Sequence, residues 1–162
     1  MGRKLELAGR SLLVGLGAYV VAGACLAASS AAPDYPTGYR RWTHVKSGVI
    51  GPGSPAHPRF GGLHHIYANE EAMRGYVTGV FAPGSVLVFD VLEAKEGPGT
   101  VTAGERRFVD VMTKGKSGWA FTEFAGDSRE QRNVTVEAGV TECQACHLSP
   151  KTQDQVFSRY KE

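Results

Sequence analysis

RRFVDVMTKGKSGWAFTEF, residues 106–124, reads as two strands folded back on each other. Arg106 to Thr113 and Trp119 to Phe124 are rich in β-branched and aromatic side chains, and Lys114-Gly115-Lys116-Ser117-Gly118 between them is a hairpin turn. Upstream, SVLVFDVLE at 85–93 is the strongest strand signal in the chain; the turn Ala82-Pro83-Gly84 precedes it, and Leu63 to Ala68 reads as one strand more. Consecutive strands with short turns imply an antiparallel sheet. Between the strands, Asn69 is a good N-cap and Glu70-Glu71 suit a first turn, which predicts a helix over 70–78. Tyr39, Trp42 and Val45 fall at helical spacing and predict a short amphipathic helix within 33–48. The Gly/Pro-rich stretches 48–62 and 96–104 read as loops, and 152–160 as a last helix. The expected fold class is α+β: an antiparallel β-sheet with short helices.

Behind this sheet pattern stands Cys143-Gln144-Ala145-Cys146-His147, a C-x-x-C-H sequence. Two thiols at i and i+3 share one side of a helical turn and suit thioether bonds to the vinyl groups of one c-type haem. His147 is then the proximal axial ligand. A zinc site needs a second ligand pair, and a redox dithiol would open a helix after an early strand; neither context surrounds these residues. Thr141 and Gln144 read as a capping box for this C-terminal haem helix, which Ser149-Pro150 ends. The layout is neither the four-helix bundle of common cytochromes c′ nor the mostly helical class I cytochrome c.

The N-terminus agrees with export. Arg3, Lys4 and Arg10 precede an uncharged apolar run over residues 11–28, and Ala27-Ala28-Ser29-Ser30-Ala31-Ala32 then leads to Pro33. This is the layout of a signal peptide over residues 1–32. Residues 11–28 as an uncleaved membrane anchor, or lipidation at Cys25, are the alternatives. Haem attachment needs exported, reduced chain, which places the expected haem domain, residues 33–162, in a periplasm. Without residues 1–32 the chain carries 15 basic and 15 acidic side chains, so no basic stripe points to nucleic acid. Its two cysteines are both used by the haem, and no disulfide is expected.

Further motifs lie along the chain: Tyr39-x-x-Trp42, His65-Ile66-Tyr67-Ala68-Asn69, Thr78-Gly79-x-Phe81-x-x-Gly84-Ser85-Val86, Gly118-Trp119-Ala120-Phe121, Cys143-x-x-Cys146-His147 and Val156-Phe157-Ser158-Arg159-Tyr160. In that order and over residues 35–160 they resemble the cytochrome P-460 family. The resemblance implies a periplasmic homodimer carrying one covalent haem c. It also implies one of two activities. P-460 enzymes, with a lysine cross-linked to the haem, oxidise hydroxylamine, often together with nitric oxide; the cytochrome c′-beta branch binds nitric oxide or carbon monoxide at five-coordinate iron under an apolar pocket. The family's cross-linking lysine lies just before the Thr-Gly-x-Phe turn. Here that stretch is Met73-Arg74-Gly75-Tyr76-Val77-Thr78-Gly79, with no lysine between Lys46 and Lys95. The expectation is therefore gas binding, with hydroxylamine or nitric oxide oxidoreduction as the alternative.

Tyr76, Val77, Phe81 and Phe121 are the first candidates for the distal pocket, with Phe60 and Phe89 behind them. Strand alternation places Trp119, Phe121 and Glu123 on one face and Ala120, Thr122 and Phe124 on the other; His64, Ile66 and Ala68 likewise oppose Leu63, His65 and Tyr67. A distal histidine among His44, His57, His64 and His65 would instead make a low-spin electron carrier serving a periplasmic electron-transfer partner. Arg74, Arg106 and Arg107 are candidates for the haem propionates. Glu123 reads as a solvated strand end, with proton transfer near the iron as its functional alternative.

Overall fold

The computed structural model describes residues 1–2, 32–149 and 152–161. The signal-peptide reading, Cys25 and Pro150 lie outside the described residues. Five strands form one antiparallel sheet in chain order: β1 (Thr43–Ile50), β2 (Gly62–Ala68), β3 (Val86–Gly97), β4 (Thr100–Gly115) and β5 (Gly118–Ala125). Short helices interrupt it: α1 (His57–Phe60) and α2 (Glu70–Thr78) flank β2, and a helical segment follows β5. This is the expected α+β arrangement.

Register divides the sheet into two faces. Ala68, Leu87, Met112 and Phe121 form one row; Ile66, Phe89, Asp110 and Glu123 form the next; both lie on one face. The opposite face carries Tyr67, Val88, Val111 and Thr122, then His65, Asp90, Val109 and Phe124. Each face has its own core. Ala68, Phe81, Leu87, Met112, Trp119 and Phe121 are buried on the first, with Tyr76 and Cys143 packed against them. On the second, Tyr39, Val88, Val109, Val111 and Phe124 are buried under the N-terminal segment.

Several expectations are corrected. No amphipathic helix spans Tyr39 to Val45: the helix is one 3₁₀ turn, Tyr39–Arg41, and the chain then extends into β1. A register shift between His44 and Lys46 re-aims Val45 into the first core while Tyr39 enters the second. A single apolar stripe on paper thus serves two cores. The loop expected over 48–62 is entered by both neighbours: β1 runs to Ile50, and α1 occupies His57–Phe60. The loop expected over 96–104 is mostly strand, because Gly97 pairs with Thr100 and Pro98-Gly99 alone makes the turn, with Gly99 at φ 71°. Residues 152–160 form no helix. Gln153 and Val156 bridge each other across Asp154 and Gln155, whose φ values of 46° and 66° break any helix.

The α2 reading holds at the level of atoms. Asn69 Oδ1 accepts from Ala72 N–H at 2.9 Å and from Val86 N–H at 3.0 Å, so one cap ties the helix to the start of β3. The capping box on Thr141 does not hold. The helical segment already begins at Val136–Ala138, where Thr135 Oγ1 accepts from Ala138 N–H at 3.2 Å. It widens into a π-helical turn, Gly139–Gln144, and ends as α3 at Ala145–His147. Thr141 is inside it and donates to the Glu137 carbonyl at 3.0 Å. Gly139 lets this segment dock on β5: a Cβ there would stand 2.7 Å from the Phe121 carbonyl oxygen.

Candidate functional site

The π-helical turn carries Cys143 and the last helical turn carries Cys146. Both are free thiols, Cys143 half-buried and Cys146 exposed. Burial, then the nearby Asp110, push the Cys143 thiol up to about 11. His147 follows with its ring between Phe121 and Phe157, each 4.9 Å away centroid to centroid. Its Nδ1 lies 2.6 Å from the Gln155 carbonyl oxygen. A carbonyl only accepts, so Nδ1 carries the proton and Nε2 presents a bare lone pair. Burial lowers the pKa of His147, against the pull of the Gln155 bond, and favours this neutral form. Two free thiols three residues apart and a neutral imidazole with Nε2 open are the donor set that a c-type haem takes, and these residues fit it.

The distal candidates separate. Tyr76 and Phe81 meet edge to face at 5.2 Å, Phe81 reaches Trp119 at 5.6 Å, and Phe121 belongs to the same cluster. The Tyr76 hydroxyl is 2.6 Å from Ser158 Oγ, and burial pushes its pKa up to about 12. A cavity of about 130 Å³ opens beside Tyr76, Phe81, Val156 and Tyr160. Val77 stands apart from that cluster, 84% exposed. Phe60 and Phe89 form a second apolar group with Phe108 on this face, and His64 packs on Phe89 at 4.9 Å, buried. His44 and His65 bond through Ser47 at the exposed β1 edge, at 2.8 and 2.6 Å, and His57 begins α1.

Two of the arginines expected near propionates are engaged elsewhere, and the third bonds a backbone carbonyl. Arg74 pairs with Glu70 and Glu71 along α2, and Arg106 with Asp90 and Asp127. Arg107 donates to the Gly61 carbonyl. Asp90 sits under the opposite face, fully buried, accepting from the Tyr39 hydroxyl at 2.7 Å, Arg40 at 3.0 Å and Arg106 Nε at 2.7 Å. Burial pushes its carboxyl up, but these donors outweigh that and hold it below the usual range.

Glu123 is no solvated strand end: it is 2% exposed, on the same face as Phe121. Arg59 Nη2 is 2.7 Å from its Oε2, and Asn133 Nδ2 donates to its Oε1 at 2.8 Å. Asp110 lies directly opposite in the β4–β5 ladder. Burial first, then Glu123, raise the Asp110 carboxyl well above its ordinary value, with Arg59 opposing. The sequence reading missed Asp110 and Arg59. The signal was the hairpin itself: once Gly115 pairs with Gly118, the register forces Asp110 against Glu123.

With this geometry in place, comparison with known proteins adds one match. The family model described as Cytochrome P460 covers residues 36–158. No curated protein matches the chain.

Proposed function

The chain belongs to the cytochrome P-460 family, whose members are c-type haem proteins, and from that premise we propose an exported mono-haem cytochrome that binds nitric oxide or carbon monoxide at five-coordinate iron. Cys143 and Cys146 would hold the haem by thioethers and His147 Nε2 would be its axial ligand. The haem, when bound, would supply an iron able to take a small ligand. One observation carries the reading: the face that bears Cys143 is lined by apolar side chains, Tyr76 and Phe81 in one group and Phe60 and Phe89 in another, while Phe121 packs on His147, and no lysine lies between Lys46 and Lys95. Such a lining excludes water and anions and admits neutral diatomics. The proposal includes a periplasmic location, a homodimer and an electron-transfer partner. It predicts that the ferrous protein has a high-spin spectrum and takes up carbon monoxide at once, with a shifted Soret band. A low-spin spectrum indifferent to carbon monoxide would contradict it.

A second reading, a haem oxidoreductase acting on hydroxylamine or nitric oxide, is favoured by the opposed Asp110–Glu123 pair, a proton-holding group beside the Cys143 thiol. Hydroxylamine turnover with an added electron acceptor, lost in Asp110→Asn and Glu123→Gln, would select it. Absence of turnover in the wild type leaves gas binding.

A further inference from the structure

The proximal histidine is held by a turn that is itself held from three sides. Asp154 Oδ2 accepts from the Phe81 N–H at 2.9 Å, and its Oδ1 is 2.8 Å from Lys114 Nζ at the end of β4. The Asp154 backbone carbonyl accepts from Trp119 Nε1–H on β5 at 2.9 Å. Lys114 also sits over the Trp119 ring, 5.1 Å from its centroid. The lysine and the aspartate are each about one-fifth exposed, at 17% and 21%. The turn is closed by Gln153 N–H to Val156 O and Val156 N–H to Gln153 O, at 3.0 and 2.9 Å.

Inside that frame Asp154 and Gln155 both adopt left-handed backbone, at φ 46° and 66°. Two successive non-glycine residues in this region persist only where the surroundings over-determine them. The consequence of the conformation is specific: it turns the Gln155 carbonyl onto His147 Nδ1 at 2.6 Å. No side chain at position 155 makes that contact, so it is set through the frame.

We propose that Asp154, clamped by Lys114, the Phe81 amide and Trp119, is a positioning residue for the proximal ligand: it fixes the Gln155 carbonyl on His147 Nδ1–H and thereby sets the donor strength of Nε2. The inference rests on the haem reading of the motif. A strong Nδ1–H bond makes the imidazole a better donor and favours the ferric form; loosening it weakens the iron–histidine bond and raises the midpoint potential.

The test uses the full haem-loaded chain and three variants, Asp154→Ala, Asp154→Asn and Lys114→Met, with Thr102→Ala on the far β3–β4 hairpin as control. Ferrous resonance Raman reads the iron–histidine stretch, and redox titration reads the potential. Asp154→Ala is expected to lower the stretching frequency and to change the ferric preference about tenfold, or about 59 mV for one electron. Asp154→Asn keeps an acceptor for the Phe81 amide and moves both readouts less, in the same direction, as does Lys114→Met. Thr102→Ala moves neither. Variants that melt earlier yet keep the wild-type frequency and potential overturn the proposal, because a merely structural clamp would behave so. Wild-type protein lacking covalent haem overturns the haem reading and this inference together; haem-loaded variants with unmoved readouts overturn this inference alone.

Discussion

The two faces of the sheet each carry an acid near their centre, and they treat it oppositely. Under the N-terminal segment, Asp90 has three donors from Tyr39, Arg40 and Arg106, and its carboxyl is held low. On the face that bears the haem motif, Asp110 opposes Glu123, and Arg59 and Asn133 both serve Glu123. The Asp110 carboxyl is raised. The N-terminal segment packs on the face with Asp90, where Tyr35, Trp42 and Tyr67 stay partly buried. The motif face likewise keeps Ile66, Tyr76, Phe89, Asp110 and Cys143 only partly buried. An acid closed by polar pairing stabilises the fold; an acid whose pKa is raised, beside a thiol, suits chemistry.

Substitutions can break this contrast, beginning with the largest effect. Asp90→Ala strands Arg106, which is 13% exposed, and should cost about 3 kcal/mol in urea unfolding, the low end for a broken buried pair because Arg40 can turn to water. On the motif face, Gly75→Ala places a Cβ 2.3 Å from the buried Phe81 ring and should cost about 1–3 kcal/mol by the same measurement. Tyr76→Phe removes the bond to Ser158 and should cost about 1 kcal/mol. Asp110→Asn should have the opposite sign, gaining about 0.5–1 kcal/mol once pH is high enough to ionise Asp110 against Glu123.

Acidity sharpens the same contrast. The lowered pKa of Asp90 contributes stability above about pH 3.9, the ordinary aspartate value, lost as pH falls through its folded value. Asp110 behaves in the reverse sense: its raised pKa contributes stability in full below about pH 3.9, lost as pH rises through its folded value. The deficit of Asp90→Ala should therefore shrink toward acid, while the gain of Asp110→Asn grows toward neutral pH. Urea unfolding from pH 3 to pH 8 reads both; parallel curves for the variants and the wild type would refute the assignment.

Local signals were legible where they were complete in themselves. Asn69 caps α2 as its position implies, and the 114–118 turn sets the β4–β5 hairpin. The motif lies within five consecutive residues, Cys143 to His147, and is readable without a fold. What stayed hidden needed partners distant in sequence. Tyr39 and Val45 satisfy helical spacing, but a bulge sends them to different cores. Residues 152–160 carry no turn glycine; Lys114, Phe81 and Trp119 impose the left-handed turn from outside. The acceptor for His147 is a backbone carbonyl, invisible to any reading of side chains. Glu123 and Asp110 have ordinary strand parity, and register alone makes them a pair.

The central claim is that the motif face is built around a covalent haem on Cys143, Cys146 and His147. Intact mass spectrometry of the protein, exported in a host able to attach c-type haem, tests it most directly. The account predicts the mass of the processed chain plus one haem, retained after acid extraction, and lost in the Cys143→Ala, Cys146→Ala double variant. Wild-type chain at its bare polypeptide mass, with both thiols open to alkylation, would contradict it.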